Sequence, residues 1–244
     1  MEEPDLFTAS TDQRLASRAP LAARMRPAVL NDVVGQDHLV GAGAPLRKLI
    51  ESDRLSSIIV WGPPGTGKTT LAELIASSTK RGFERLSAVT AGVKDIREVI
   101  EVAKQRLSID DRGTVVFVDE IHRFSTTQQD ALLHAVESGL ITLVGATTEN
   151  PAFSVNPALR SRSSVFALKP VDETSVAILL RRAANLEGVV LDDDAVDLIA
   201  RRCTGDARQA LTALEVAIAL STHQTVSVEQ ATTALNTSVS RLGK

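Results

Sequence analysis

The strongest chemical signal in this chain is a glycine-rich loop that directly follows a short apolar run. The run Ile58–Trp61 leads into the loop, which we call the phosphate loop: Gly62, Pro63, Pro64, Gly65, Thr66, Gly67, Lys68 and Thr69. This order fits the pattern G-x-x-x-x-G-K-[ST], in which main-chain N–H groups surround phosphates, the lysine contacts the β- and γ-phosphates and the hydroxyl binds Mg²⁺. The sequence therefore predicts a site for ATP and Mg²⁺, formed by this loop together with Thr70 in the helix that follows.

A pair of carboxylates, Asp119 and Glu120, follows the apolar run Val115–Val118. Open α/β sheets bind ligands at the edge where their strands end. At that edge Asp119 is predicted to hold Mg²⁺, and Glu120 to orient and deprotonate an attacking water. A solvated acidic turn is the alternative for such a pair taken alone. Nucleotide kinases need no water base beside the metal ligand, so Glu120 favours hydrolysis over phosphoryl transfer to a small molecule.

Two further segments of this region carry polar side chains that suit contact with phosphates. Thr148 follows the apolar run Ile141–Val144 and is predicted to contact the γ-phosphate or the attacking water, with an ordinary strand threonine as the alternative. Arg160 and Arg162 are two positions apart, so their side chains should point apart and share no role. One of them is expected to act as an arginine finger on a neighbouring subunit's phosphates, with a charged surface turn as the alternative.

Arg208 is the last candidate for contact with an anion. It lies in the first turn of a predicted helix, for which Asp206 is the expected N-cap. A cation at this end opposes the helix dipole, and its presence is easier to explain if it contacts an anion such as the γ-phosphate. An exposed arginine is the alternative.

Short apolar runs alternate with amphipathic stretches as far as Pro170, which predicts a parallel sheet covered by helices on both faces. The predicted strands are Ile58–Trp61, Glu84–Val89, Val115–Val118, Ile141–Val144 and Val165–Leu168. The run 84–89 is the weakest and is placed nearer an edge, whereas the other runs are apolar on both faces, as in central strands. The helices predicted between them are Thr69–Thr79, Lys94–Leu107 and Gln128–Glu137.

After Pro170 the pattern predicts helices alone: Asp172–Leu186, Asp193–Cys203, Ala207–Ser221 and Ser227–Leu235. Asp172 is a predicted N-cap, and Ser227 with Gln230 forms a predicted capping box. The chain is therefore predicted to consist of a flexible N-terminal tail at 1–19, an α/β nucleotide-binding core with a five-stranded parallel sheet at 20–169, and a small all-α lid at 170–244.

Composition excludes several classes of protein. The 244 residues carry a formal net charge of −3, which does not fit a globally basic protein coating DNA, and the 3% aromatic content argues against a base-stacking sheet. The single cysteine, Cys203, excludes an internal disulfide and is predicted to be a buried small hydrophobe. No apolar run approaches a membrane span, and the acidic N-terminus does not resemble a secretory signal, so we expect a cytoplasmic protein with no membrane partner. Because none shows helical pairing with a metal-binding acid, four histidines are predicted to be structural or surface residues: His38, His122, His134 and His223.

The order of these motifs resembles the AAA+ ATPases, and their clamp-loader-like branch in particular. The closer resemblance is to the replication-associated recombination protein A family (RarA, also called MgsA), whose eukaryotic relatives interact with the Werner helicase. It extends from Pro20 to about Leu214. Besides the phosphate loop and the Asp–Glu pair, the segments that carry it are 20–27, 34–39, 88–97, 145–151 and 205–208, of which 88–97 and 145–151 are the most specific to the family.

The resemblance implies an AAA+ core and lid with family roles at the matching positions. These are Val33, Val34, Gly35 and Gln36 on the adenine side, Thr148 as sensor 1, Arg162 as the finger and Arg208 as sensor 2. It also implies a DNA-stimulated, homo-oligomeric ATPase that acts in the nucleoid at stalled forks, gaps and duplex ends alongside single-strand-binding protein. Family members continue beyond the lid, so we expect a truncated chain that is monomeric and turns over slowly.

Two other functions stay open at this point. One is a nucleotide-gated scaffold that binds ATP, recruits fork proteins and hardly turns over. The other is a Holliday-junction motor of the branch-migration type, which shares the arginine turn and predicts processive translocation on DNA.

Overall fold

The computed structural model describes residues 18–221 and 224–239. The chain divides into two compact units, which are Pro27–Pro170 and the described parts of Met1–Arg26 and Val171–Lys244. We call the first the α/β unit and the second the helical unit. The predicted tail at 1–19 and His223 lie outside the described residues, apart from Arg18 and Ala19.

The strands are β1 (Ile58–Trp61), β2 (Gly82–Ser87), β3 (Thr114–Asp119), β4 (Ile141–Thr147), β5 (Ser164–Ala167), β6 (Val190–Leu191) and β7 (Thr225–Val226). The helices are α1 (Leu21–Arg24), α2 (Asp37–Val40), α3 (Pro45–Glu51), α4 (Lys68–Ser78), α5 (Val93–Asp110), α6 (Thr126–Glu137), α7 (Pro151–Ser154), α8 (Pro157–Ser161), α9 (Glu173–Glu187), α10 (Asp193–Arg202), α11 (Ala207–Leu220) and α12 (Val228–Val239). Two 3₁₀ turns cover Leu30–Asp32 and Ile121–Arg123.

Five parallel strands form the sheet of the α/β unit, in the order β2-β3-β4-β1-β5. The predicted five-stranded parallel sheet is therefore confirmed, and the weakest predicted strand is an edge strand as expected. β1 pairs with both β4 and β5, so Ile59 lies opposite Gly145 on one side and Val165 on the other. Because all strands run in one direction, their carboxyl ends share one edge, and the phosphate loop, the Asp–Glu pair and Thr148 all lie at strand ends along that edge.

Alternate residues of the central strands enter two different apolar clusters. Phe117 of β3 is fully buried in one cluster with Leu71 of α4. Val116 of the same strand joins Ile96 of α5 and Leu132 of α6 in the other cluster. Both faces of the sheet are thus covered by helices, as the doubly apolar runs predicted. Full burial of one such side chain stabilises a fold by about 2 kcal/mol.

The prediction of a central strand at 165–168 was wrong. β5 is an edge strand that pairs with β1 alone, and Val165 remains 43% exposed. The apolar run ends in Leu168, which is buried but follows the strand. A four-residue apolar run has the same pattern in an edge strand as in a central one, and only the surrounding elements decide which it becomes.

The helical unit is built on one apolar cluster that joins α9, α10, α11 and α12. Their predicted positions are confirmed, and the ends differ by a few residues. Asp172 caps α9 by accepting from the backbone N–H of Ser175, and Gln230 accepts from the N–H of Ser227 before α12. The sequence missed β6 and β7, which pair in parallel over two residues each and are too short to show a strand period.

Residues 20–26 belong to the helical unit, whereas the sequence placed them in the 20–169 core. Leu21 is fully buried in the apolar cluster of the helical unit, and its N–H donates to Oε1 of Glu215 over 2.9 Å. Arg24 forms an ion pair with Glu187 at the end of α9. The change of pattern at Pro20 marks where regular structure begins, but it does not show which core the segment joins. Over residues 18–221 and 224–239, no helix has both the length and the apolar character needed to cross a membrane.

Candidate functional site

The phosphate loop between β1 and α4 depends on glycine, as Gly67 and Gly62 illustrate. Gly67, which precedes α4, has a φ of 97°, a left-handed conformation that favours glycine. At Gly62 a Cβ would lie only 2.7 Å from the carbonyl oxygen of Leu168. Because α4 begins at Lys68, its unpaired N–H groups and the positive end of its dipole lie at the end of the loop. This is the local geometry that an anionic ligand needs.

Lys68 is held inside the phosphate loop. Its Nζ donates to the carbonyl oxygens of Gly62 and Pro63 over 2.8 and 2.9 Å, and the residue is only 8% exposed. Thr66 is also buried and donates its hydroxyl to the same Pro63 carbonyl over 2.8 Å. A buried ammonium group requires oxygen partners, and phosphate oxygens are stronger partners than carbonyls because they carry charge. Thr69 and Thr70 follow in the first turn of α4 and are half-buried.

The predicted adenine-side segment lies beside the phosphate loop. Val34 and Gly35 are half-buried and lead into Gln36, which is 3% exposed. The amide nitrogen of Gln36 donates to the carbonyl of Lys169 over 2.8 Å and lies 3.4 Å from the carbonyl of Thr66. Its Oε1 accepts from the N–H of Lys169 over 3.2 Å. The side chain of Gln36 therefore joins this segment to the loop and to the chain that leaves β5.

Asp119 is the last residue of β3 and is half-buried at the sheet edge. The side chain of Arg85 on β2 lies beside it, with Nη2 3.7 Å from Oδ2 of Asp119 and Nη1 3.4 Å from Oε1 of Glu73. No sequence motif marks Arg85, because an arginine on an edge strand belongs to none. The pairing of β2 with β3 therefore brings a positive charge next to the predicted metal ligand.

Glu120 and Thr148 are brought together by the ends of two neighbouring strands. Glu120 has a φ of 54°, and this left-handed turn directs the chain from β3 into the 3₁₀ turn at Ile121–Arg123. Thr148 follows β4, and its Oγ1 donates to Oε2 of Glu120 over 3.3 Å. The predicted base and the predicted sensor are therefore in direct contact, although they are 28 residues apart in sequence.

His122 also contacts Glu120, although the sequence predicted only a structural or surface role for it. Its Nδ1 lies 3.2 Å from Oε2 of Glu120 and 2.9 Å from Oγ1 of Thr147. Its side chain is only 9% exposed. The available sequence signal was a histidine two positions after the predicted base, which carries little weight without knowledge of Thr147.

The arginine turn, residues 157–163, holds its two arginines on different partners, in agreement with the expectation that they point apart. Arg160 donates to the carbonyl of Ala152 in α7. Arg162 donates to the carbonyl of Ala158 over 3.0 Å, and its Nη2 lies 2.6 Å from Oε1 of Glu137 at the end of α6. The guanidinium of Arg162 therefore contacts groups of its own subunit, and its side chain is still 42% exposed.

Arg208 lies in the helical unit, in the first turn of α11, and is exposed. The predicted cap of this helix is confirmed, since Asp206 accepts from the N–H of Gln209 over 2.8 Å. Cys203 is fully buried as predicted, and burial together with the nearby Asp206 raises the pKa of its thiol to about 11.

The donor set at the sheet edge fits Mg²⁺ better than a softer metal. The predicted ligands are the hydroxyl of Thr69 and the carboxylate of Asp119, and Mg²⁺ prefers hard oxygen ligands supplemented by phosphate and water. In the described part of the chain no three His, Cys, Asp or Glu side chains are grouped closely enough to form a metal cage of their own. A metal at this edge would therefore depend on the ligand's phosphates for part of its coordination.

The sheet order, the glycine loop closing onto a helix and the acidic pair at the same edge define a P-loop nucleotide-binding fold. More specifically, the chain carries an AAA domain, since residues 58–171 match the model of the "ATPase family associated with various cellular activities (AAA)". Among solved structures, the RuvB Holliday junction branch migration motor of Thermotoga maritima is similar with a TM-score of 0.74 and 27% identity, over 87% of this chain and 72% of that one.

Sequence relatives agree with the resemblance identified from the motifs. Replication-associated recombination protein A of Escherichia coli K12 is 50% identical over 204 residues, which cover 81% of this chain and 45% of that protein. The Haemophilus influenzae protein of the same name is 47% identical over 82% of this chain and 46% of its own length. The ATPase WRNIP1 of Dictyostelium discoideum is 43% identical over 85% of this chain and 24% of its own. The chain thus spans about half the length of the bacterial relatives that it matches.

Proposed function

We propose that the AAA domain of this chain binds Mg·ATP and hydrolyses it to ADP and phosphate. The observation that carries the proposal is the contact of 3.3 Å between Thr148 Oγ1 and Glu120 Oε2, at the same sheet edge as the phosphate loop. Hydrolysis needs a base that deprotonates water and a hydroxyl that contacts the phosphate, whereas nucleotide binding alone needs neither. Their pairing therefore favours an enzyme over a simple nucleotide-binding module.

Binding is assigned to the phosphate loop and its neighbours. The loop N–H groups of 65–70 surround the phosphates, Lys68 neutralises the β- and γ-phosphates, and Val34 with Gly35 borders the adenine. Thr69 and Asp119 hold Mg²⁺, which when bound draws charge from the β- and γ-oxygens. The buried state of Lys68 supports this assignment, because phosphate oxygens replace carbonyl partners that are already arranged around its ammonium group.

Hydrolysis is assigned to Glu120. Its carboxylate accepts a proton from a water, the water oxygen bonds to the γ-phosphorus, and the bond from that phosphorus to the β–γ bridging oxygen breaks to release ADP. Thr148 holds the γ-phosphate or the water in line, and Lys68 stabilises the negative charge on the transferred group. Each of these steps uses a side chain at the shared sheet edge.

The arginines are proposed to complete the site. Arg162 is proposed as the finger for a neighbouring subunit's phosphates, with Arg160 as the alternative, and Arg208 as the sensor 2 cation. Partly exposed ion pairs such as Arg162–Glu137 contribute about 0–1 kcal/mol, so the arginine can leave this partner at small cost. The exposure of Arg162 supports its choice over Arg160, whose guanidinium bonds to the backbone of α7.

The biological role proposed is the remodelling of, or loading onto, DNA at stalled replication forks, gaps and strand junctions, in a homo-oligomer that works with single-strand-binding protein. The support is the identity of 47–50% to proteins named replication-associated recombination protein A. A branch-migration motor is the second candidate, favoured by the similarity to RuvB. It requires processive strand displacement, which the fork-remodelling role does not.

The test is phosphate release by the purified chain, with and without forked DNA. Glu120→Gln should keep ATP binding and lose about 10²–10⁴-fold in kcat, as expected for removal of a general base. Glu149→Gln, at an exposed carboxylate nearby, is the matched control and should behave like the parent. Equal turnover by Glu120→Gln and the parent would show that the base is wrongly assigned. If Glu120→Gln supports function in cells as well as the parent chain does, the ATP-gated scaffold is the better description.

A further inference from the structure

Among the described residues at the sheet edge, His122 has a nearly buried titratable side chain that the proposed mechanism does not yet use. It follows Glu120 by two residues, in the 3₁₀ turn that begins after the left-handed Glu120. Its imidazole is 9% exposed and bridges two strands, since Nδ1 contacts both Glu120 after β3 and Thr147 in β4. A histidine that only filled space would not need to direct one ring nitrogen to two oxygens of the site.

The contacts of His122 favour a proton on Nδ1. An ionised carboxylate only accepts hydrogen bonds, so a nitrogen 3.2 Å from Oε2 of Glu120 contacts it favourably only as an N–H. Oγ1 of Thr147 accepts from the N–H of Glu149 over 3.0 Å, and its own hydrogen can go to the carbonyl of Glu149 at 3.3 Å. Thr147 can therefore accept from Nδ1–H as well. Nε2 lies 3.7 Å from Oε1 of Glu149, which is too far for a hydrogen bond.

We propose that His122 is a positioning residue for the base: its Nδ1–H bonds to Thr147 over 2.9 Å, lies 3.2 Å from Oε2 of Glu120, and by its positive end restrains the rotamer of that carboxylate. Both contacts of Glu120, from His122 and from Thr148, use Oε2. Oε1 is thereby left to accept the proton of the attacking water. The inference rests on the proposed role of Glu120 as the base, and it adds a residue that sets the geometry of this base.

Two amide substitutions separate this role from simple packing. The amide nitrogen of asparagine is attached to Cγ, as Nδ1 of histidine is, whereas the amide of glutamine reaches towards the position of Nε2. His122→Asn can therefore still bond to Thr147 and present an N–H to Glu120, and His122→Gln cannot do so in the same way. A loss of packing would affect both variants alike.

The kinetic test measures ATP turnover and KM for the parent chain, His122→Ala, His122→Asn and His122→Gln, with melting temperatures as a check of folding. His122→Ala should lose about tenfold or more in kcat with KM little changed, since a misplaced catalytic group can cost up to about a hundredfold. His122→Asn should recover most of the loss, and His122→Gln should not. Equal kcat in all four proteins, or equal loss in the Asn and Gln variants, overturns the proposal.

A second measurement does not depend on turnover. The nitrogen-15 spectrum of the histidine side chains, with His122 assigned by its loss in His122→Asn, should show a proton on Nδ1. The shift of that nitrogen should move in Glu120→Gln more than in Glu149→Gln. An unprotonated Nδ1, or a nitrogen chemical shift that does not respond to Glu120→Gln, overturns the inference even if the chain hydrolyses ATP. The opposite result is also informative. If the parent chain does not hydrolyse ATP, but Nδ1 is protonated and its chemical shift responds to Glu120→Gln, the proposed function is contradicted and the contact of His122 with Glu120 is still established.

Discussion

The phosphate loop and the arginine turn hold their cations in opposite ways. Lys68 is 8% exposed, and the carbonyls of its own loop surround its ammonium group. Arg162 has a side chain that is 42% exposed, and its main charged partner is a single carboxylate, Glu137, which is itself partly exposed. Both residues are expected to neutralise phosphate charge, but only the first is arranged by the loop in which it lies.

The difference indicates how far each function depends on a second subunit. A buried cation with fixed partners is preorganised, so its contribution is available to a single chain. An exposed arginine in a surface ion pair contributes little to its own fold, about 0–1 kcal/mol, and is available to another molecule. We therefore expect Lys68 to act at every protein concentration and Arg162 to act only where chains assemble.

The largest effect is expected for Arg162→Ala under assembling conditions. An arginine finger contributes about 10³–10⁵ in rate, so turnover per parent chain should rise with protein concentration and that of Arg162→Ala should not. Mixing Arg162→Ala with Glu120→Gln sharpens the test, because the second variant supplies an intact arginine to the intact base of the first. Arg160→Ala serves as the control. If mixing restores no activity although sedimentation shows assembly, Arg162 is not the finger.

Lys68→Ala should have the next largest effect, this time on affinity and in the single chain. A hydrogen bond to a charged group contributes about 1.5–3 kcal/mol, which predicts an affinity for ATP about 10- to 100-fold lower. Titration with a fluorescent ATP analogue at several protein concentrations measures it. Lys80→Ala, at an exposed lysine soon after α4, should bind like the parent. If Lys68→Ala weakened ATP binding only at high protein concentration, the contrast between Lys68 and Arg162 would be wrong.

The parts of the site that the sequence predicted are those whose chemistry is local. The phosphate loop is continuous in sequence, and the acids follow an apolar run directly, so type and spacing were sufficient. His122 was missed because its decisive partner, Thr147, lies 25 residues away on another strand. Arg85 was missed for the same reason, since only the pairing of β2 with β3 brings it to Asp119.

The fold shows the same limit. The five strands of the α/β unit and the helices α4–α6 and α9–α12 were predicted because each has an apolar pattern of its own, whereas shorter elements such as β6 and β7 were missed. The two errors of the prediction placed Leu21 in the wrong unit and Val165 in a central strand. Both errors concern which element packs against which. Leu21 is tied to Glu215 across 194 residues of sequence, and no local pattern records such a contact.

Gln36→Ala is expected to have a smaller effect than Lys68→Ala, because Gln36 supports the phosphate loop indirectly. The substitution removes two hydrogen bonds to the part-buried backbone of Lys169, each of which contributes about 0.5–1.5 kcal/mol to folding stability. Part of that should appear as about tenfold weaker ATP binding. Gln129→Ala is a matched control, since Gln129 is also a buried glutamine bonded to backbone groups, at Phe124 and Asn156. Equal loss of affinity in both variants would mean that the effect is one of general stability.

The smallest effect is expected for Glu137→Gln, and its sign is the informative part. Removing the charge of Glu137 weakens the contact that holds Arg162, so turnover in the assembled state should rise. The rise should be a few-fold at most, because the ion pair that is lost contributes about 0–1 kcal/mol. The free energy of unfolding should change by less than about 1 kcal/mol, because the pair is partly exposed. Glu101→Gln, which breaks the exposed pair with Lys104, is the control and should leave turnover unchanged. A decrease in turnover would show that Glu137 helps to present Arg162 to its neighbour rather than restraining it, and the two cations would then differ less than their exposure indicates.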